Sequence, residues 1–156
     1  MTDYYKECED GFIALLRTLT TYFPGGGWQV SDDDTILAKG LEYAVIVRPG
    51  AFPYIPRTAT QIIVQWNVTA DLCVRYVSYK ESWNKMKAFR SDVFNLVLEN
   101  PDLRDTPGVI SVVMTGDALP QYLRFEGVPE TAKPNFIIQT VRVIISAYVP
   151  ISGVNF

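Results

Sequence analysis

The stretch Ile62–Val77, IIVQWNVTADLCVRYV, decides the fold. Its even-numbered positions are apolar from Ile62 to Tyr76, and most odd-numbered positions between them are polar. Such alternation is typical of a β-strand with one buried and one solvated face, because successive side chains point to opposite sides. At about 3.3 Å per residue the strand would run roughly 50 Å, so we expect a bend or a bulge within it.

The next stretch of chain has the pattern of a helix. Ser78 and Glu81 stand in the relation of a capping box, which predicts that the helix begins after Ser78. Asn100-Pro101 predicts where it ends. We expect its inward stripe to consist of Trp83, Met86, Phe89, Val93, Phe94, Val97 and Leu98.

Further elements lie on both sides of this strand and helix. The first twenty-odd residues predict a helix that ends at Pro24-Gly25-Gly26-Gly27, with the apolar stripe Tyr5, Cys8, Phe12, Leu15, Leu16 and Leu19. Further strands are expected at about 28–30, 42–48, 109–115 and 136–149. The last is apolar on both faces, which suits a central strand covered on both sides. The order predicts one α+β domain over 1–156, a mainly antiparallel β-sheet packed against two α-helices.

Composition restricts the classes of function. The chain has 156 residues, 48% of them hydrophobic and 20% charged, which is typical of a folded domain and not of a disordered chain. A net charge of -3 argues against a protein bound mainly through phosphate neutralisation. Because there is no histidine, catalytic triads with histidine, HExxH zinc sites and the deaminase zinc centre are excluded. We predict no enzyme activity, no catalytic residue, no metal and no cofactor.

The two cysteines and the termini indicate where the chain is made. The acidic, polar start MTDYYKECED predicts no secretory signal, and the apolar segment 144–151 is too short to span a bilayer. We therefore expect a protein assembled in a reducing cytoplasm, without a membrane partner. There Cys8 and Cys73 would be buried small hydrophobes, although a single disulfide between them is left open.

The segment Ala51–Arg57, which contains Pro53 and Pro56, is the first candidate site. We expect an irregular exposed loop, in which Phe52, Tyr54, Ile55 and Arg57 form an interface with another protein, since aromatics and arginine dominate interface energetics. The alternative is that Phe52 and Ile55 fold back on their own core.

Three other patterns have a plainer and a sharper interpretation. Asp32, Asp33 and Asp34 form a solvated acidic turn, a cation site or part of a surface that repels phosphates. The glycines 25–27 favour a turn over a phosphate loop, because no Lys-Ser or Lys-Thr pair follows them. The cations Lys80, Lys85, Lys87 and Arg90 form a solvated helix face or a nucleic-acid surface, with Trp83 assigned to the core.

Five segments of the chain together carry a resemblance to a known protein family. The segments EYAVIVRPG, IIVQWNVTADLCVRYV, WNKMKAFRSDVFNLVLENPDL, GVISVVMTG and FIIQTVRVIISAYVPI follow one another in that order. The chain from about Glu42 to Val149 thereby resembles the tail terminator proteins of long-tailed bacteriophages. In that family a helix ends in a turn whose matching residues here are Asn100, Pro101 and Leu103.

The resemblance implies an assembly role in the virion, in the tail or neck. Such proteins form a hexameric ring on the head-proximal end of the tail tube, stop its polymerisation and offer a surface to the head–tail connector. The implied partners are further copies of the chain, the major tail tube protein and the connector, with genome DNA passing through the ring without specific binding. We expect Asp32, Asp33 and Asp34 to line that channel, since like charges disfavour adsorption of DNA.

Two alternatives stay open. Head-completion and connector proteins of the neck share the size and layout, and would bind the portal side instead of the tube. A small soluble enzyme or ligand-binding domain that uses carboxylates is the alternative from another class.

Overall fold

The computed structural model describes residues 3–56, 60–116 and 118–150. The helices are α1 (Tyr4–Leu16), a 3-10 helix (Asp34–Lys39) and α2 (Tyr79–Glu99); the strands are β1 (Val30–Ser31), β2 (Tyr43–Pro49), β3 (Tyr54–Pro56), β4 (Gln61–Arg75), β5 (Val109–Thr115), β6 (Gln121–Leu123) and β7 (Phe136–Pro150). The expected α+β class, with two α-helices on a mainly antiparallel sheet, is confirmed.

The sheet is built on the pairing of its two longest strands. Strands β4 and β7 pair antiparallel from Gln61↔Pro150 to Arg75↔Phe136 without a register shift. The strand order is β1-β2-β4-β7-β5, with β3 beside β4 and β6 beside β7. Only β1 and β2 run parallel among the described pairs. The sheet therefore ends at β1 on one side and at β5 on the other.

Both helices cover one face of the sheet. Val68, Ala70 and Leu72 of β4 share the main core with Phe12 of α1 and Phe89 of α2, all fully buried. On the other face, a smaller core lies under the 3-10 helix and the segment around Phe125; it contains Ile36, Leu41, Ala44, Ile46, Cys73 and Phe136. The second face is thus covered only at one end.

Two expectations about the long strands hold only in part. The β4–β7 register has no bulge; the irregularity lies on the neighbouring side, where Pro49 faces Val68 and Tyr54 faces Val64. Four residues, 50–53, therefore lie opposite three, 65–67, as in a β-bulge. Coverage of β7 on both sides holds only near Phe136, since the second-face residues Arg142 and Tyr148 are exposed.

The first helix is shorter than its apolar stripe predicts. It ends at Leu16, and the following residues form turns in which the Thr18 amide and hydroxyl both donate to the carbonyl of Leu15. Threonines at 18, 20 and 21 have low helix propensity and compete for backbone bonds, which explains the early end. Leu19 still packs against the main core, from a turn instead of a helix.

A left-handed turn after α2 holds the two helices together. Leu103, Arg104 and Asp105 have φ of 51°, 57° and 65°, an uncommon conformation for residues with side chains. The buried Leu103 packs in the main core, and a Cβ at Gly11 would lie 2.7 Å from Oγ1 of Thr106. The glycine within α1 therefore allows this turn to approach the helix closely.

Both cysteines are free and buried, as expected of small hydrophobes. Cys8 lies in the main core and Cys73 in the smaller one, on the opposite face of the sheet. Burial raises the pKa of Cys8 to about 11 and that of Cys73 to about 12, so both are protonated at neutral pH.

Candidate interaction surfaces

The segment predicted as an irregular loop contains a strand, and that prediction is wrong. Residues Tyr54–Pro56 pair with β4, and the amides of Gln65 and Asn67 donate to the carbonyls of Pro53 and Ala51. The prolines occupy an edge strand, where a missing donor costs little. The predicted interface residue Arg57 and the side chains of Tyr54 and Ile55 lie outside the described residues.

Phe52 combines the two interpretations offered for it. Its ring lies 5.6 Å from that of Trp66, tilted by 39°, and Trp66 in turn meets Tyr5 of α1 edge to face at 5.6 Å. Phe52 nevertheless keeps 47% of its surface exposed. It is therefore anchored against its own fold while presenting an aromatic surface to the outside.

The acidic residues Asp32, Asp33 and Asp34 are all exposed, directly after β1 at one end of the sheet. Asp33 caps the 3-10 helix: its carboxylate accepts from the amide of Thr35 at 2.9 Å, which lowers the pKa of Asp33. The other two lack such a capping role. Their place in an acidic turn agrees with the plainer interpretation, and the channel-lining role stays a prediction.

Two lysines interact electrostatically with these carboxylates, Lys6 with Asp32 and Lys39 with Asp33, and each also has another partner. Lys6 pairs with Asp10 at 3.1 Å, and Lys39 lies 5.4 Å from the ring centre of Trp28, which is itself partly exposed. We call Trp28 with Asp32, Asp33 and Asp34 the acidic end.

One side of α2 departs from the predicted inward stripe. Phe94 is 41% and Leu98 59% exposed, while Trp83 is only partly buried, so the prediction is wrong for these residues. Ser82, which was not predicted, is fully buried because its hydroxyl accepts from the amide of Val77 at 2.8 Å. The buried stripe is therefore narrower than predicted and consists of Ser82, Met86, Phe89, Val93 and Val97.

One exposed side of α2 has a distinct composition. We call it the α2 flank; it consists of Tyr79, Lys80, Trp83, Lys87, Arg90, Phe94 and Leu98, at helical spacings of three and four. Its charged members are all cations. The rings of Tyr79 and Trp83 stack with their planes 4° apart, and the ammonium of Lys87 lies 5.7 Å from the Trp83 ring centre.

A cleft separates the α2 flank from the last strand of the sheet. It measures about 420 Å³, and Arg90 and Phe94 line it together with Met114 of β5 and Val141 of β7. The Arg90 guanidinium donates to the Oε1 atom of Gln139 at 3.0 Å. The part of the flank at Arg90 and Phe94 therefore borders β5 and β7.

The open half of the second sheet face carries a polar cross-strand link. Asp71 of β4 accepts from Arg48 of β2 and from the Thr140 hydroxyl of β7, each at 2.6 Å. Because the three residues belong to adjacent strands, they tie the sheet together on the side that the helices leave bare.

Comparison with known proteins adds no family assignment. No model of a known protein family matches the chain, and no curated protein matches its sequence. Among the residues that the structure describes, no group of three or more potential ligand side chains is placed to hold a metal ion. None of the helices within those ranges has the length and apolar character needed to cross a membrane.

Proposed function

We propose that the chain is a structural protein of a bacteriophage virion, a tail terminator that forms a ring on the head-proximal end of the tail tube. Its place would be the junction of tail and neck, and its role would be mechanical instead of catalytic. The partners would be further copies of the chain, the tail tube protein and the head–tail connector.

The observation that carries the proposal is the open sheet. Helix, strands, helix and strands follow in the order of the family that the sequence resembles, and the sheet ends at β1 and β5 without closing into a barrel. Two different sheet ends on one subunit suit head-to-tail association. Such association yields a closed ring when the rotation between successive subunits brings the last subunit back to the first. The exposed ring of Phe52 adds an aromatic surface of the kind that interfaces favour.

The test is electron microscopy of particles assembled in the phage after deletion of this gene. Abnormally long tubes, or tubes that fail to join filled heads, are the expected result. Tails of normal length beside leaking or unjoined heads would assign the chain to head completion instead. Fully normal virions would refute both roles.

A further inference from the structure

Two surfaces of the chain carry opposite charge. The acidic end contributes three exposed carboxylates beside β1, and the α2 flank contributes Lys80, Lys87 and Arg90, of which Arg90 lines the cleft beside β5. Four strand spacings of about 4.8 Å separate β1 from β5, or roughly 19 Å. That distance exceeds the Debye length of about 8 Å in physiological salt, so Arg90 beside β5 and the carboxylates beside β1 barely attract each other within one chain.

We infer that the α2 flank of one copy binds the acidic end of the next copy. The occupant of the flank is a second copy of this chain because that copy presents three carboxylates to three cations. The inference rests on the proposed function, since it names the junction by which the ring would form.

Apolar groups supply the rest of the contact. On the flank, Tyr79 is 60% exposed at the start of α2, and Phe94 and Leu98 are exposed near its end. Trp28 is partly exposed at the acidic end. Tyrosine, tryptophan and arginine are the residue types that most often carry binding energy at interfaces. The cleft beside Arg90 offers a recess between helix and strand into which a neighbouring side chain fits.

The contact is heterologous, because each copy uses its α2 flank to bind one neighbour and its acidic end to bind the other. Such contacts repeat until the chain of subunits closes, and they form a ring when the rotation permits. The same inference places Asp32 and Asp34 at the junction, in competition with their predicted place on the channel wall. The experiment separates these two assignments.

The test reverses charge at each end separately and then at both. We compare the full chain with Lys80→Glu/Lys87→Glu, with Asp32→Lys/Asp34→Lys, and with the combination of all four, by sedimentation velocity and native mass spectrometry. Arg90 and Asp33 are left intact because one is anchored to Gln139 and the other caps a helix. The control, Arg104→Glu/Arg142→Glu, changes net charge equally on exposed positions off the flank.

The expected result is an oligomer for the parent chain and the control, and dissociation for each reversal, with at least about a tenfold loss of affinity. The combined variant should assemble again, because its reversed charges are complementary. Raising salt from about 0.05 M to about 0.5 M should weaken the parent oligomer. Lys80→Gln/Lys87→Gln serves as a milder variant, and circular dichroism verifies folding.

Several outcomes would overturn the inference. A monomeric parent chain, reversals that leave the oligomer intact, or a combined variant that stays apart would each do so. Intact rings of the Asp32→Lys/Asp34→Lys variant would favour a place for these residues on the channel wall. If the Lys80→Glu/Lys87→Glu variant keeps the parent's oligomer but binds an oligonucleotide less well than the parent does, the flank would be a nucleic-acid surface instead. None of these affects the tail-length experiment, so the proposed function fails or survives independently.

Discussion

The guanidinium of Arg90 donates to the amide oxygen of Gln139 at 3.0 Å, and the amide nitrogen of Gln139 donates to the carbonyl of Ala118 at 3.1 Å. Gln139 occupies a buried position on the otherwise apolar helix-facing side of β7. Its side chain thereby joins α2, β7 and the segment after β5. This link holds the α2 flank against the sheet edge.

Replacing Gln139 with leucine should lower the free energy of unfolding by about 1–3 kcal/mol. The substitution removes one hydrogen bond to a charged group and leaves the Ala118 carbonyl without its donor. Urea unfolding at neutral pH measures the loss. Gln139→Glu, which keeps an acceptor for Arg90, should cost less; equal stability of the leucine variant and the parent would contradict the role assigned to this link.

Asp71 should be more important for stability than its partner Arg48. Asp71→Ala removes acceptors from both Arg48 and Thr140, and the Asp71 side chain is only 13% exposed, so we expect a loss of about 1–3 kcal/mol. Arg48→Ala should cost less than about 1 kcal/mol, because that side chain is half exposed and solvent screens it. A double-mutant cycle by denaturant unfolding measures the coupling, and a larger loss for Arg48→Ala would refute the ranking.

The buried thiols should make the protein less stable in alkali. The pKa of Cys73 is raised to about 12 and that of Cys8 to about 11, from 9.0 in both cases, mainly because burial disfavours the thiolate. Above pH 9 the unfolded chain loses these protons while the folded chain keeps them, so unfolding is favoured as pH rises.

Each thiol should contribute a slope approaching about 1.4 kcal/mol per pH unit above pH 9. Urea unfolding under reducing conditions from pH 8 to pH 10 measures the slope. Cys73→Ala should reduce it, and the variant with alanine at both cysteines should lose it below the range of tyrosine ionisation. An unchanged slope in that variant would show that other groups are responsible.

Replacing Phe52 and Tyr54 with serine should leave the fold intact and weaken assembly. Phe52 is about half exposed, so its loss removes about 1 kcal/mol of apolar burial. The matched control is Phe12→Ser at a fully buried position, where we expect a loss of about 3–5 kcal/mol. Thermal unfolding and complementation of tail assembly measure the two effects; a double variant that fails to fold would assign these residues to the core.

Local patterns in the sequence were sufficient for the main elements. Alternation from Ile62 predicts β4, and the Ser78–Glu81 relation predicts the start of α2, where the Ser78 hydroxyl accepts from the amide of Glu81 at 3.3 Å. The strands at 109–115 and 136–149 also appear with nearly the expected bounds. These predictions are correct because side-chain periodicity and helix capping depend on residues only a few positions apart.

The candidate surfaces depended more on distant contacts. The pattern of α2 assigns Phe94 and Leu98 to the core, yet both are exposed, while Ser82 near the start of the helix is buried. Ser78, which caps α2, and Ser82, which is buried in it, are the same residue type, so no local signal in the sequence shows that Ser82 is buried. The sequence around Gln139 likewise does not indicate that its side chain accepts a hydrogen bond from Arg90 of α2.

What the sequence by itself determined is the class of fold, the positions of its long strands and helices, and the chemistries excluded by the absence of histidine. Only the tertiary structure decided that Phe94 and Leu98 of α2 are exposed, that the proline-containing segment before Pro56 joins the sheet as β3, and that Arg90 of α2 lies beside β5. The physical reason is the distance along the chain over which each interaction acts. Periodicity and capping are read over one or two turns of chain, whereas burial and charge separation depend on pairings between strands far apart in sequence, such as β4 with β7.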